Sequence, residues 1–187
     1  MSKLETNTID NISGSSTLNI GDTNATTLNF DTGITSVTNI PSDLKNTPAF
    51  FAHANGNQDI TNNTNTKVEI DTEILDSDGK FDTSNNRFTP TVAGYYIING
   101  IVRFDTSTTI SSARIKIYKN GSNYYEIDVF KDTEDFSLSI SQVVYLDTDD
   151  YVELYVRQNS GSTLAINGSD PLNSVSASFS GYKLIGA

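Results

Sequence analysis

Apolar and polar side chains alternate along the C-terminal half of the chain. In segment 136–146 the even-numbered positions include the apolar residues Phe136, Leu138, Ile140, Val144 and Leu146, and serines separate the first three. In segment 151–157, polar or tyrosine positions alternate with Val152, Leu154 and Val156. Because successive side chains of a β-strand point to opposite faces, this period of two predicts strands with one buried face. No segment after Ala49 has a helical period, so we expect an all-β fold.

Other segments follow the same rule less regularly. Between Lys67 and Ile74, the period predicts that Val68, Ile70 and Ile74 share one buried face of a strand. The runs 95–104 and 124–130 are richer in apolar residues, and we expect both faces of these strands to be covered.

Short turn motifs separate the predicted strands. Asn120-Gly121 predicts a two-residue hairpin turn, because both residue types tolerate a positive φ. Asp78-Gly79 and Asn167-Gly168 are interpreted in the same way. About ten short antiparallel strands with turns at this spacing predict a jelly-roll sandwich.

The N-terminal segment contains a degenerate repeat. Thr17-Leu18-Asn19-Ile20 recurs ten residues later as Thr27-Leu28-Asn29-Phe30. One such short apolar pair buries too little surface to offset the entropy of ordering its strand in a single chain. The segment is therefore either a disordered tether or a narrow β-structured stalk, in which Leu18, Ile20, Leu28 and Phe30 of several chains stack inward in layers. The regular spacing favours the stalk.

Composition divides the chain into three parts. We expect an attachment peg at 1–16, a Thr/Asn-rich stalk at 17–47 and a core-forming knob at 48–187. The start of the chain lacks the apolar run of a secretory signal, so we expect synthesis in a cytoplasm and no membrane insertion. The net charge of −11 argues against nucleic-acid binding, which needs a clustered basic face.

Several motifs of the knob, taken in order, resemble the globular domain of complement component 1q and the related tumour-necrosis-factor-like domains. The motifs are Ala49-Phe50-Phe51-Ala52, Lys67-Val68-Glu69-Ile70-Asp71, Phe81-Asp82, Phe88-Thr89, Gly94-Tyr95-Tyr96, Lys119-Asn120-Gly121, the segment 144–154, and Phe179-Ser180-Gly181-Tyr182. One departure is Asp149, which stands where that family has a glycine before its aspartate, so we expect that turn to differ.

This resemblance implies a ten-stranded jelly roll that packs as a three-fold trimer and binds proteins or glycans without catalysis. In such a homotrimer we expect Tyr95 and Tyr96 to pack between subunits. The stalk independently favours a trimer, since its apolar pairs need partner chains.

Few residues suggest chemistry. The chain has no cysteine and a single histidine, His53, which we interpret as a surface or interface residue, so no catalytic residue is predicted. Asp76-Ser77-Asp78-Gly79 resembles the start of a calcium loop but lacks its later glutamate, because Arg87 stands there. Asp147, Asp149 and Asp150 form a denser acidic turn. Three copies near a trimer axis would offer oxygen ligands for Ca²⁺; the alternative is a solvated acidic turn.

The chain is therefore expected to be a trimeric, non-enzymatic surface protein of a virion, such as a head fibre, a capsid decoration or a short tail-fibre spike. Its N-terminus would bind a capsid or other virion protein, and its knob a host-surface glycan or protein. Two alternatives stay open: a bacterial cell- or spore-surface adhesin, and an assembly-only structural cap without a ligand.

Overall fold

The computed structural model describes residues 45–104, 108–133, 136–168 and 177–185, and all regular structure in these ranges is β. The strands are β1 Ala49–His53, β2 Gln58–Ile60, β3 Thr66–Lys67, β4 Thr72–Asp76, β5 Phe81–Asp82, β6 Arg87–Phe88, β7 Gly94–Phe104, β8 Ile110–Lys119, β9 Ser122–Thr133, β10 Phe136–Leu146, β11 Val152–Asn159, β12 Leu164–Ile166 and β13 Ser178–Lys183. Within the part of the chain described, no helix is long and apolar enough to span a bilayer. The peg at 1–16 and the stalk residues Leu18, Ile20, Leu28 and Phe30 lie outside the described residues.

The strands form two antiparallel sheets. In the first sheet, β7 has β10 on one edge and β13, then β1 and β4, on the other. The short strands β12 and β2 continue this sheet from the end of β7 at Phe104. In the second sheet the order is β5, β6, β11, β8 and β9, with β3 also paired to β11. The prediction of an all-β jelly-roll sandwich is confirmed.

The core lies between the two sheets and is filled by the faces that alternation predicted. Along β10 the predicted apolar residues are all buried, while Ser137, Ser139 and Ser141 are exposed. On β11, Val152, Leu154 and Val156 are likewise buried. The period of two therefore assigned the inner face of both strands correctly.

An aromatic cluster joins the two sheets at one end of the core. Phe50 of β1 stacks on Phe88 of β6 with ring centroids 4.3 Å apart, and on Phe81 of β5 at 5.2 Å. Phe179 of β13 meets the Phe50 ring edge-on at 5.2 Å. Since offset-stacked and edge-on aromatic pairs add stability beyond their area, the cluster fixes β5 and β6 against the first sheet.

The segment 67–74 differs from its prediction. β3 ends at Lys67 and β4 begins at Thr72, so the segment is not one strand. Val68 and Ile70 are fully buried, as expected, but Ile74 is 56% exposed. The register of β4 against β1 shifts here, because Leu75 faces Phe51 while Glu73 faces Ala52. Ile74 is the extra residue of this β-bulge, which turns its side chain to the outside.

At two of the three predicted turns, the structure has the expected residues with positive φ. Asn120 and Gly121 have φ values of 52° and 74°, as a hairpin turn with two left-handed residues requires, and Gly79 also has a positive φ of 63°. The prediction for Asn167-Gly168 is wrong. Gly168 lies against the backbone of Gly56, where an added Cβ would be 2.1 Å from the Gly56 carbonyl oxygen. Close backbone approach, and not turn conformation, therefore requires this glycine.

Candidate assembly interface and acidic turn

The outer face of the first sheet carries apolar side chains that nothing in the described chain covers. Within the single chain, the prediction that β7 is covered on both faces is wrong, because its outward-facing Tyr95 and Ile101 are 45% and 44% exposed. The same correction applies to the run 124–130 on β9, where Tyr124 is 47% and Phe130 77% exposed. On β7 the outward-facing Tyr95 and Ile101 are available to another molecule, whereas β9 carries the acidic side chains of Glu126 and Asp128 between its exposed aromatic residues.

Strand register gathers part of this face into one patch. Val143 of β10 and Tyr182 of β13 both lie opposite Ile97 of β7, on its two sides. Tyr145 lies opposite Tyr95, and their rings meet edge-on with centroids 5.3 Å apart. We call these five residues the apolar patch. Since β10 is the edge strand of the described sheet, the patch reaches the sheet margin.

Tyr96 does not belong to the patch. Its neighbour Tyr95 points outward, so Tyr96 points inward and is fully buried. There the Tyr96 ring packs edge-on against Phe88, and its hydroxyl group donates a hydrogen bond to the Val92 carbonyl. Burial, reinforced by the charge of Asp78, raises the pKa of Tyr96 well above its ordinary value. The prediction that Tyr96 packs between subunits is therefore wrong. Tyr95 remains available for that role.

The acidic turn between β10 and β11 is held together by Asp150. One carboxylate oxygen accepts hydrogen bonds from Lys119 Nζ at 2.7 Å and from the Asp147 backbone N–H at 2.8 Å. The other accepts from Asn120 Nδ2 at 2.6 Å. Burial is the largest single influence on this group and opposes ionisation. The hydrogen bonds from Asp147, Lys119 and Asn120, with the attraction of Lys119, outweigh it and lower the pKa of Asp150 to about 2.

The other two carboxylates of the turn have different surroundings. Asp147 accepts from the Thr148 backbone N–H at 2.9 Å, and Asp149 is exposed. The turn closes with a bond from the Asp150 N–H to the Asp147 carbonyl at 3.1 Å and needs no left-handed residue at 149. An aspartate is therefore tolerated where the related family has glycine.

Within a single chain the turn does not form a metal site. The described residues contain no group of three or more histidine, cysteine or acidic side chains placed to hold a metal ion. At the other acidic turn, Asp76 accepts from the backbone N–H groups of Asp78 and Phe81, and Asp78 accepts from Thr91 Oγ1. The Ca²⁺ hypothesis for Asp147, Asp149 and Asp150 requires three chains and stays a prediction.

His53 lies on β1 and is half-buried. Its Nδ1 donates to the carbonyl oxygen of Ala54 at 2.9 Å. The side chain points to the outer face of the first sheet, beside Ser178 of β13. This position agrees with the interpretation of His53 as a surface or interface residue.

Ion pairs cover the outer face of the second sheet. The pairs join Lys67 to Glu153, Arg114 to Asp128 and Lys116 to Glu126, with N–O distances of 2.8, 2.7 and 2.8 Å. Tyr118 and Tyr155 stack among them, with ring centroids 3.9 Å apart. Two of these pairs join β8 to β9 across the hairpin at Asn120-Gly121, and the third joins β3 to β11, which is distant in the chain. Sequence reasoning did not identify this face, because it did not establish the register of these strands.

The comparison with known proteins agrees with this architecture. Residues 49–184 match the model of the C1q domain family. The chain therefore belongs to the C1q domain family.

Two solved structures share the fold. The globular domain of zebrafish complement 1qA is 15% identical and superposes with a TM-score of 0.53, covering 73% of this chain and 97% of that one. The PRD1 vertex protein P5 is 13% identical, with a TM-score of 0.54 and coverage of 73% and 96%.

One curated relative is nearer in sequence. The phage-like element PBSX protein XkdV of Bacillus subtilis (strain 168) is 32% identical over 119 residues, which are 57% of this chain. The match spans only 17% of the length of XkdV.

Proposed function

We propose that this chain is a non-enzymatic structural protein of a phage or phage-like element, which displays a trimer of C1q-like knobs at the virion surface. The observation that carries the proposal is the uncovered apolar patch on a domain of this family. The similarity to a protein of a phage-like element supports the virion setting. The fold shared with a phage vertex protein agrees with it.

The cost of exposing the patch to water supports association of the chain with further copies of itself. Tyr145, Val143 and Tyr95 are each 45% exposed in the single chain, and Tyr182 is 37% exposed. A contiguous apolar surface on a chain with a net charge of −11 marks a site of association. The patch reaches the edge strand β10, so a second chain can cover the patch of the first chain with a different part of its surface. The patch of the second chain then stays free to be covered by a third chain. Closed three-fold assembly uses every copy of the patch.

Light scattering tests the trimer directly. We expect a molar mass three times the 20.4 kDa of the chain. Val143→Asp places a charge in the patch and should shift the protein towards monomer. Tyr124→Asp is the matched control, because Tyr124 is similarly exposed, at 47% against 45%, but lies on the second sheet. A wild-type protein that stays monomeric at micromolar concentration contradicts the proposal.

The knob would serve attachment to a host-surface glycan or protein, and residues 1–16 would attach the chain to a capsid or other virion protein. Binding of the purified protein to whole host cells separates this role from that of an assembly-only cap. Deletion of 1–16 should abolish incorporation into particles and leave cell binding intact. A bacterial cell- or spore-surface adhesin is the alternative, and retention of the protein on cells that carry no phage element would favour it.

A further inference from the structure

One arginine on the outer face of the second sheet lacks the partner that its neighbours have. Arg157 of β11 lies directly opposite Arg114 of β8 in the antiparallel register. Like charges in this position destabilise a sheet unless they are compensated. Arg114 is compensated by Asp128, whereas within the described ranges Arg157 donates to the neutral Asn63 Oδ1, at 3.1 Å. No ion pair joins Arg157 to a carboxylate of the described residues.

A pocket of about 90 Å³ opens beside the two guanidinium groups. Its polar lining includes Asn63, Ser112, Arg114, Arg157 and Asn159. None of the residues that line it is acidic, although the chain has 23 acidic residues and a net charge of −11. A cavity needs only about 10–15 Å³ of such volume to hold one water molecule, so the pocket has room for several waters, or for one carboxylate or phosphate group in their place.

The rim of the pocket is fixed before any ligand arrives. Asn63 has a left-handed φ of 58°, and its backbone N–H donates to the Gln158 carbonyl at 2.8 Å. Asn62 Oδ1 accepts from the backbone N–H groups of Ser160 and Gly161, at 3.1 and 2.9 Å. These bonds join the loop after β2 to the loop after β11. A preorganised rim reduces the entropy lost on binding.

We propose that this arginine pocket binds a single carboxylate or phosphate group of a cell-surface glycan. The glycan role rests on the proposed function, while anion binding itself depends only on the pocket. A planar guanidinium forms two parallel hydrogen bonds with either group, and an anion beside Arg157 supplies the counter-charge that Asp128 already gives to Arg114. The net charge of −11 repels dense polyanions, so the ligand is an isolated acidic group on an otherwise neutral glycan.

Saturation-transfer NMR on the full chain tests this with three sugars of similar ring structure. Methyl glucuronide carries a carboxylate, glucose 1-phosphate carries a phosphate, and methyl glucoside is neutral. We expect at least one acidic sugar to bind with a dissociation constant of about 1 mM and methyl glucoside to give no signal. Comparing the two acidic sugars identifies the preferred group.

Arg157→Gln should weaken binding about tenfold or more, since it removes the charge-assisted hydrogen bonds. The matched control is Lys80→Gln, which removes one positive charge from an exposed turn away from the pocket. If Arg157→Gln fails to fold, Arg157→Lys keeps the charge without the planar fork and should still lose affinity. Equal binding of methyl glucoside, or unchanged affinity in the Arg157 variants, overturns the inference.

The two proposals fail in different ways. Adsorption of the protein to cells without binding of acidic sugars rejects the arginine pocket and leaves the proposed function standing. Binding of acidic sugars by a protein that neither trimerises nor adsorbs to cells supports the pocket and rejects the proposed function.

Discussion

The carboxylate of Asp150 should make a measurable, pH-dependent contribution to the stability of the knob. It accepts hydrogen bonds from Lys119, Asn120 and the Asp147 backbone, and its pKa falls from 3.8 to about 2. At 1.36 kcal/mol per pKa unit, this difference corresponds to an upper limit of about 2.5 kcal/mol. The turn is at the surface, where water and salt screen its charges, so we expect about 1–2 kcal/mol.

The sign of the pH dependence follows from the direction of the shift. A carboxyl group whose pKa is lowered by folding binds protons more readily when the chain is unfolded. Its contribution is therefore complete above the unfolded value of 3.8 and is lost as the pH falls towards about 2. At about pH 3, between the two values, roughly half of the contribution should remain.

Asp150→Asn removes the charge with little change in shape. We expect the free energy of unfolding in urea to fall by about 1–2 kcal/mol at neutral pH, and by about half as much near pH 3. The melting temperature should fall by about 3–8 °C at neutral pH. Circular dichroism at one fixed protein concentration measures both quantities, because association also stabilises the folded chain.

Asp149→Asn is the matched control for this experiment. Asp149 lies in the same turn and carries the same charge, but it is exposed and has no described hydrogen bond. Its replacement should change stability by less than about 0.5 kcal/mol. Equal losses in the two variants, or a loss from Asp150→Asn that is the same at both pH values, would refute the reasoning.

Two predictions concern the parts of the assembly that involve several chains. If Leu28 and Phe30 stack between chains of the stalk, replacing both by Ser should accelerate protease cleavage near residue 30 while the knob stays folded; rapid cleavage of the wild type at 17–40 would instead identify a tether. If Asp147, Asp149 and Asp150 of three chains bind Ca²⁺, the melting temperature should rise in millimolar calcium and fall with a chelator. Asp149→Asn combined with Asp150→Asn should remove that response. A melting temperature that changes with neither calcium nor chelator would identify a solvated acidic turn.

Sequence predicted the features that depend on short-range rules. The alternation along 136–146 assigned the buried face of β10, because side-chain direction in a regular strand depends only on position. Asn120-Gly121 predicted its hairpin because positive φ values are a property of the residues themselves. Both predictions needed no knowledge of neighbouring strands.

The failures concern features that depend on a partner strand. Ile74 is exposed because the register of β4 shifts against β1, which the sequence of β4 alone does not specify. Tyr96 was assigned to an interface because two adjacent tyrosines do not say which of them faces the core. Arg114 and Arg157 meet only through the pairing of β8 with β11, so the arginine pocket has no local motif.

The position of β13 determines when the knob can fold during synthesis. β13 is the last described strand in the chain, and it alone joins the β1–β4 pair to the β7–β10 pair in the first sheet. Until β13 leaves the ribosome, these pairs are separate pieces whose unpaired edges can aggregate or bind to other strands. A chain that stops short of Ser178 therefore cannot complete its first sheet. Such a chain also lacks Tyr182, so its apolar patch is incomplete.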